Sequence, residues 1–216
     1  MIAVQGPTSQ QTLQGLAGRD LDELGYFRFW PEQTTVAGAD AWITRTGFSG
    51  EKGYEIVLEQ QEAQRVWDAL IAAGGTPFGL TAIDLARTEV GLIIIAVDYN
   101  PAEISPYDLS MDRFIKTDTE NVGADALAAY GASPPKRFKT LRFEGAPPEA
   151  GAVVTKDGAD VGVITSPVES PRAGSIGLAI VETAVAEDGT KVEVGGTVAT
   201  VAPLSILDPQ KQKARA

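Results

Sequence analysis

Apolar and alternating segments predict four strands in the first part of the chain. Residues 1–4 are all apolar, and residues 41–46 and 54–58 follow strand patterns on either side of a glycine-rich segment. Residues 92–97 are apolar throughout and predict a buried strand. Because a strand as apolar as residues 1–4 usually lies inside a sheet, we expect the chain to begin in the middle of a larger domain.

Three segments of the same part predict helices. Pro7 suits the first turn of a short helix. Residues 62–73 repeat apolar positions at helical spacing, with Ile71 among the inward residues, and the helix is expected to end at Gly74-Gly75. Residues 81–88 predict a further helix.

The last third of the chain has the pattern of a small β-barrel. Short alternating runs meet at the turn signals Asp157-Gly158 and Gly195-Gly196. We expect an α+β protein: a first domain over residues 1–130 with a mixed sheet and helices, a linker at 131–136, and a barrel at 137–209. A basic tail, 210–216, is expected to be a solubilising end.

Composition removes several kinds of chemistry. The chain has no cysteine and no histidine, which excludes thiolate nucleophiles, the usual zinc sites and any triad with imidazole. We therefore expect no metal site. The formal net charge of -11 argues against nucleic acid and against anionic membranes as partners. The start of the chain lacks signal-peptide features, and a cytoplasmic location is the expectation.

The glycine-rich segment RTGFSGEKGYEI, residues 45–56, has two interpretations. In the first, it is a hairpin connection in which Gly47, Gly50 and Gly53 supply positive φ angles, and Glu55 faces solvent. In the second, the small residues let a ligand ring approach the backbone. Glu55 then accepts two hydrogen bonds from an amidine-like edge of that ring. The first reading is the more common one for an isolated segment.

The predicted helix at 81–88 carries Ile83 and Arg87 four residues apart on one face, with Asp84 three residues before Arg87. One interpretation is a surface ion pair that contributes under about 1 kcal/mol. The other is that Arg87 and Glu89 hold the junction between the helix and the next strand beside a pocket. The sequence leaves both open.

A resemblance to a known family joins these segments. RTGFSGEKGYEI resembles the R-x-G-Y-T-G-E-x-G-F/Y-E-I signature of the glycine-cleavage T-protein (aminomethyltransferase) family. In the same order, further segments resemble family motifs: AVQGPTSQQTL, GLTAIDLARTEVGL, SPYDLSMDRFIKTD with VGADAL, VGVITSPVESPRAGSIGLAIV and PLSILDP. Their order and spacing cover nearly the whole chain.

The resemblance implies a tetrahydrofolate-dependent one-carbon transferase. Its pterin ring would lie in a central hole of the folate-binding domain, capped by the C-terminal barrel. Glu55 falls on the family glutamate that grips the pterin, which makes it the leading site residue. Tyr54 and Phe48 would line the walls by position, or lie in the core. Arg87 matches a second helix arginine whose role looks mainly structural, and we include it among the cofactor-binding candidates.

Two departures from the family pattern change these expectations. Where this chain has Ile83, the aminomethyltransferases carry an arginine that also contacts folate. An apolar residue there resembles the folate domains of dimethylglycine dehydrogenase and sarcosine oxidase, and the folate-dependent demethylases. The family's catalytic aspartate lies upstream of the segment that AVQGP resembles, so we expect no catalytic residue in this chain.

Three functions remain as hypotheses. The chain is an N-truncated or split part of an aminomethyl or methyl transferase that takes folate and a small methylated or aminomethyl donor. Alternatively, it is a non-catalytic folate-binding or assembly subunit that needs a separately encoded N-terminal half. The third option is a truncated product without function.

Overall fold

A computed structural model describes residues 1–116, 118–120 and 122–216. The chain forms two compact units, residues 1–87 with 210–216, and residues 88–209. The units divide at residue 88, and the linker expected at residues 131–136 stays a prediction. Within the described part, no helix is long and apolar enough to cross a membrane, and no group of three or more His, Cys, Asp and Glu residues could hold a metal ion.

The first unit contains a four-stranded sheet in the order β1-β4-β3-β2, in which every pair is antiparallel. The strands are β1 (Ile2–Gln5), β2 (Thr34–Val36), β3 (Ala39–Thr44) and β4 (Gly53–Leu58). The strands expected at 1–4, 41–46 and 54–58 are confirmed, with boundaries shifted by one or two residues.

Helices cover one face of this sheet. The unit contains α1 (Ser9–Gln14) and α2 (Ala63–Ala72), α3 (Leu80–Glu89) begins in it, and α5 (Gln212–Arg215) lies in its C-terminal segment. Leu13 of α1 and Val66 and Leu70 of α2 join strand residues such as Tyr54 and Ile56 in one buried core.

The end of α2 was predicted correctly, but one of its inward residues was not. Gly74 has a φ of +98°, and the amides of Gly74 and Gly75 donate to the carbonyls of Ile71 and Leu70 at 3.0 and 2.9 Å. These paired bonds form the glycine-terminated helix end that the sequence indicates. The Ile71 side chain is 37% exposed. Since Val66 and Leu70 are four residues apart, they share the inner face, and Ile71 lies about 100° around the helix from Leu70.

The prediction of a buried strand at residues 92–97 is wrong. Residues 92–94 have no regular structure, and residues 96–98 form a turn in which Ala96 has a φ of +64°. Ile95 and Val97 are more than half exposed, at 58% and 54%. The Asp98 carboxylate, which is buried, accepts a hydrogen bond from the Ile94 amide at 2.8 Å. A side chain that binds the backbone in this way competes with strand pairing, and the apolar run gave no sign of it.

A buried carboxylate holds the segment that precedes the barrel. Asp108 is fully buried and accepts hydrogen bonds from the Ser105 amide at 2.9 Å and the Lys136 amide at 3.3 Å. The Tyr130 hydroxyl, on α4 (Ala124–Gly131), donates to the same carboxylate at 2.7 Å. One aspartate therefore connects a turn, a helix and the first strand of the barrel.

The second unit contains a closed barrel in the order β10-β5-β8-β7-β6-β9. Its strands are β5 (Lys136–Phe143), β6 (Val153–Lys156), β7 (Ala159–Ser170), β8 (Gly174–Glu182), β9 (Lys191–Val194) and β10 (Thr197–Ala202). Both predicted two-residue turns are confirmed. Asp157 and Gly158 have φ angles of 52° and 81°, and Gly195 and Gly196 have 57° and 83°, as tight hairpins require. The expected α+β class is therefore confirmed.

We expect Tyr130→Phe to reduce stability in a pH-dependent way. The hydrogen bond to Asp108, followed by burial, raises the pKa of Tyr130 from 10.0 to about 12. Because the folded pKa is raised, the contribution of the hydroxyl is complete below pH 10 and is lost as the pH rises through 12. The measurement is urea unfolding of both proteins between pH 8 and pH 12. A stability difference that stays constant over this range would contradict the assignment.

Candidate functional site

The glycine-rich loop between β3 and β4 is filled by the side chain of Gln5 from β1. Only Gly50 in this loop has a positive φ, of 73°. The prediction of positive φ angles at Gly47 and Gly53 is wrong. A Cβ atom at either of these glycines would overlap the Gln5 amide group. The absence of side chains at Gly47 and Gly53 thus serves close packing rather than backbone conformation.

Hydrogen bonds fix the Gln5 amide in this position. Its Nε2 donates to the carbonyl oxygens of Thr46 at 3.3 Å and Tyr54 at 3.4 Å. Its Oε1 accepts from the Ser49 hydroxyl at 2.9 Å. Strand β1 is therefore joined to both ends of the loop by one side chain. No local pattern in the sequence indicates this role, although Gln5 lies in one of the segments that resemble the family.

Glu55 lies in the middle of β4, half-buried, opposite Ala3 of β1 and Thr44 of β3. Its Oε2 accepts hydrogen bonds from the hydroxyls of Thr46 and, at 3.4 Å, Thr44, and the two hydroxyls also contact each other. No hydrogen bond to Oε1 occurs among the residues that the structure describes. One carboxylate oxygen is thus held by threonines while the other remains available to a ligand.

Tyr54 points away from Glu55, because neighbouring residues of a strand face opposite sides of the sheet. Its side chain is fully buried in the core, and its hydroxyl lacks a hydrogen-bond partner in the described part of the chain. Burial raises the pKa of the Tyr54 phenol, and the nearby Arg45 guanidinium acts in the opposite direction. The structure favours the alternative in which Tyr54 is a core residue.

A small cavity is lined by residues of α3 and of the loop between β3 and β4. Its volume is about 160 Å³. The lining residues are Gln5, Gly6, Ser49, Glu51, Phe78, Ala82, Ile83 and Ala86. Pockets for whole small ligands measure roughly 300–1,000 Å³, and a cavity of roughly 150 Å³ accepts one benzene ring. This cavity is therefore large enough only for a fragment of a ligand. Phe48 is not among the lining residues, and its side chain is 36% exposed.

Arg87 is fully buried and pairs with Asp84 of the same helix. Its Nη2 and Nε lie 2.6 and 2.7 Å from Asp84 Oδ1, whose side chain is 47% exposed. The pair is therefore not a simple surface ion pair. Because Arg87 has no exposed surface, contact with folate is not visible in this conformation, and its assignment as a cofactor-binding residue stays a prediction.

Glu89, at the end of α3, is a second fully buried carboxylate. It accepts hydrogen bonds from the Ser170 hydroxyl and the Arg172 guanidinium at the turn between β7 and β8. Ser170 also accepts from the amides of Arg172 and Ala173 at 3.0 and 2.8 Å. These contacts support the interpretation that Glu89 holds the junction after the helix.

The basic tail is not simply a solvated end. Lys213 of α5 lies 3.2 Å from the Glu51 carboxylate. The Arg45 guanidinium donates to the carbonyl oxygen of Ala214 at 3.4 Å and to that of Ala216. The tail therefore also packs against the first unit, and its solubilising role stays a prediction. Charge complementarity across more than 160 residues of sequence is invisible to a reading of local composition.

Both parts of the chain match models of one family. Residues 1–119 match the GCVT N-terminal domain, and residues 136–208 match the glycine cleavage T-protein C-terminal barrel domain. The fold agrees with the crystal structure of glycine cleavage system aminomethyltransferase T from Bartonella henselae, with a TM-score of 0.85 and 28% identity over 96% of this chain and 59% of that one. The chain belongs to the glycine cleavage T-protein family.

Curated relatives match this chain over most of its length. It is 36% identical over 200 residues to an aminomethyltransferase of Thermotoga petrophila, and 38% identical over 199 residues to a probable aminomethyltransferase of Halobacterium salinarum. Each alignment covers 90% of this chain and 54% of the relative. The chain thus spans about half the length of the curated relatives it matches.

We expect Ser170→Ala to lower the free energy of unfolding by about 1–3 kcal/mol, because a buried carboxylate loses a donor and two amides lose their acceptor. Ser175→Ala is the matched control, since the Ser175 hydroxyl binds the exposed carboxylate of Glu169. That change is expected to cost under about 0.5 kcal/mol. Urea unfolding measures both variants. Equal losses would show that burial of Glu89 does not determine the cost.

Proposed function

We propose that the chain is the folate-binding part of a tetrahydrofolate-dependent aminomethyl or methyl transferase, with Glu55 as the pterin-binding residue. The observation that carries this proposal is the arrangement around the Glu55 carboxylate. Thr44 and Thr46 donate to Oε2, and Oε1 has no partner among the described residues. A carboxylate held in this way can accept hydrogen bonds from the N–H edge of a pterin.

The threonine hydroxyls support this role for a physical reason. An unrestrained glutamate loses side-chain entropy when it binds, at a cost of up to about 1.5–2 kcal/mol. Hydrogen bonds from two threonines restrict the Glu55 side chain before a ligand arrives, which lowers that cost. Membership of the family supports tetrahydrofolate as the ligand. The relatives are named aminomethyltransferases, and the resemblance to this family implies tetrahydrofolate as the acceptor of the one-carbon unit.

The identity of the one-carbon donor rests on Ile83. This residue lines the small cavity together with the apolar side chains of Phe78, Ala82 and Ala86. Where the aminomethyltransferases of the family carry an arginine, this wall has an apolar residue, as in the folate-dependent demethylases that the sequence resembles, and this favours a methylated amine, ether or thioether as the donor. The named relatives favour an aminomethyl donor instead, and both donors remain within the proposal.

The alternative function is a non-catalytic folate-binding or assembly subunit. It is favoured by the expectation that the catalytic aspartate of the family has no counterpart in these residues. In either case the described side chains bind and orient the folate, and we assign them no proton transfer. Catalysis in such a transferase comes largely from the positioning of two reactants.

We expect the purified chain alone to transfer no one-carbon unit to tetrahydrofolate. The reason is the lack of an assigned catalytic carboxylate. The measurement is conversion of tetrahydrofolate to its methylene or methyl form, followed by chromatography, with an aminomethyl donor or with a series of methylated amines. Transfer above the rate without protein would show that a catalytic group is present in this chain.

Glu55→Gln tests the binding site directly. A neutral amide cannot replace a charge-assisted acceptor, so we expect tetrahydrofolate to bind about 10- to 100-fold more weakly, which corresponds to about 1.5–3 kcal/mol. The control is Glu59→Gln, because Glu59 follows β4 and is exposed. Calorimetric titration of the full chain under reducing conditions measures all three proteins. Failure of the wild-type chain to bind, or equal affinities of wild type and Glu55→Gln, would overturn the proposal.

A further inference from the structure

The loop between β3 and β4 contains two glycines that its backbone does not require. Gly47 and Gly53 have φ angles outside the positive range, whereas Gly50 has a φ of +73°. At both Gly47 and Gly53, a Cβ atom added to the glycine would lie nearest to the side-chain amide oxygen, carbon and nitrogen of Gln5. The two glycines therefore enclose the Gln5 amide from two sides.

The contacts of Gln5 lead directly to Glu55. The Gln5 amide nitrogen donates to the carbonyl of Thr46, and the Thr46 hydroxyl donates to Glu55 Oε2. The same nitrogen donates to the carbonyl of Tyr54, the residue before Glu55. One side chain thus fixes the main chain on both sides of the Glu55 carboxylate.

We propose that Gln5 is a positioning residue for Glu55. The lack of a side chain at Gly47 and Gly53 then makes room for the Gln5 side chain rather than for a ligand. The space beside both glycines is occupied by the amide group, so a ligand ring cannot approach them without displacing Gln5. The part of this inference that concerns folate rests on the proposed function. The part that concerns the two glycines does not.

Gln5 can do this because of its chemistry and its place in the sheet. Its register partner in β4 is Gly53, so the side chain rises beside a residue that has none. A primary amide is flat, and it offers donors to two carbonyls and an acceptor to the Ser49 hydroxyl at once. An aspartate or glutamate at this position would place an acceptor against the carbonyls of Thr46 and Tyr54.

A double-mutant cycle separates the two explanations of the glycines. Gly47→Ala and Gly53→Ala are each made in the wild type and in Gln5→Ala, and urea midpoints are measured for the full chain. We expect each alanine to lower the midpoint in the wild type and to lower it less than half as much in the Gln5→Ala background. Gly50→Ala is the control, because its positive φ makes it costly whether or not Gln5 is present.

Each outcome of this cycle decides the proposal. A Gly47→Ala protein that fails to fold, together with a folded Gln5→Ala/Gly47→Ala protein, supports it. Losses that are equal in the two backgrounds, or loss of folding in both, overturn it. NMR of the wild type tests the same packing without substitutions. Nuclear Overhauser effects are expected from the Gln5 side-chain amide to the α-protons of Gly47 and Gly53, and their absence contradicts the arrangement.

A second cycle tests the link to Glu55 by tetrahydrofolate binding. We expect Gln5→Ala to weaken binding by about tenfold and to have little further effect in Glu55→Gln, since Gln5 acts through Glu55. Gly74→Ala, at the end of α2, serves as a destabilised control with unchanged affinity. Additive effects of Gln5→Ala and Glu55→Gln overturn the positioning role. If the wild type does not bind folate, the proposed function fails, while the stability cycle still decides the role of the glycines.

Discussion

The side-chain amide of Gln5 connects the edge strand of the first unit to the loop that precedes Glu55. Its contacts span more than 40 residues of sequence, and they involve two main-chain carbonyls and one hydroxyl. Because Gly47 and Gly53 carry no side chains, the amide fits against the main chain of the loop at both positions. The threonine hydroxyls and the carboxylate of Glu55 take their positions from this packing, and with them the site that we assign to folate.

Buried carboxylates play the corresponding part in the second unit. Glu89, Asp98 and Asp108 expose at most 2% of their surface. A buried carboxylate is strongly unfavourable unless it is hydrogen-bonded, so each of them imposes donors on its surroundings. The donors are amides, hydroxyls and the Arg172 guanidinium, and they come from turns, a helix and barrel strands. Thr165 and Ser166, for example, lie 2.6 and 2.7 Å from Asp98 Oδ1. These hydrogen bonds hold residues 90–111, which contain little regular secondary structure.

The candidate site consists of the face of β4 that carries Glu55 and a neighbouring cavity at Ile83. Glu55 and Tyr54 are adjacent in sequence but point to opposite sides of the sheet, so only Glu55 is available to a ligand. The cavity at Ile83 is too small for a whole folate. These observations favour a binding surface in which the described residues supply the pterin acceptor and an apolar wall, and they are the basis of the proposed transferase function.

The sequence by itself determined the elements whose signals are local. The strands beside the glycine-rich loop, the glycine-terminated end of α2 and both tight turns of the barrel follow from periodicity and from the φ angles that glycine allows. It also singled out Glu55, through a resemblance that covers nearly the whole chain. Only the tertiary structure decided that residues 92–97 do not form a strand, that Tyr54 lies in the core, and that Gly47 and Gly53 enclose Gln5. Each of these involves contacts between residues far apart in sequence, in the first case those of Asp98 with Thr165 and Ser166, and no local pattern records them.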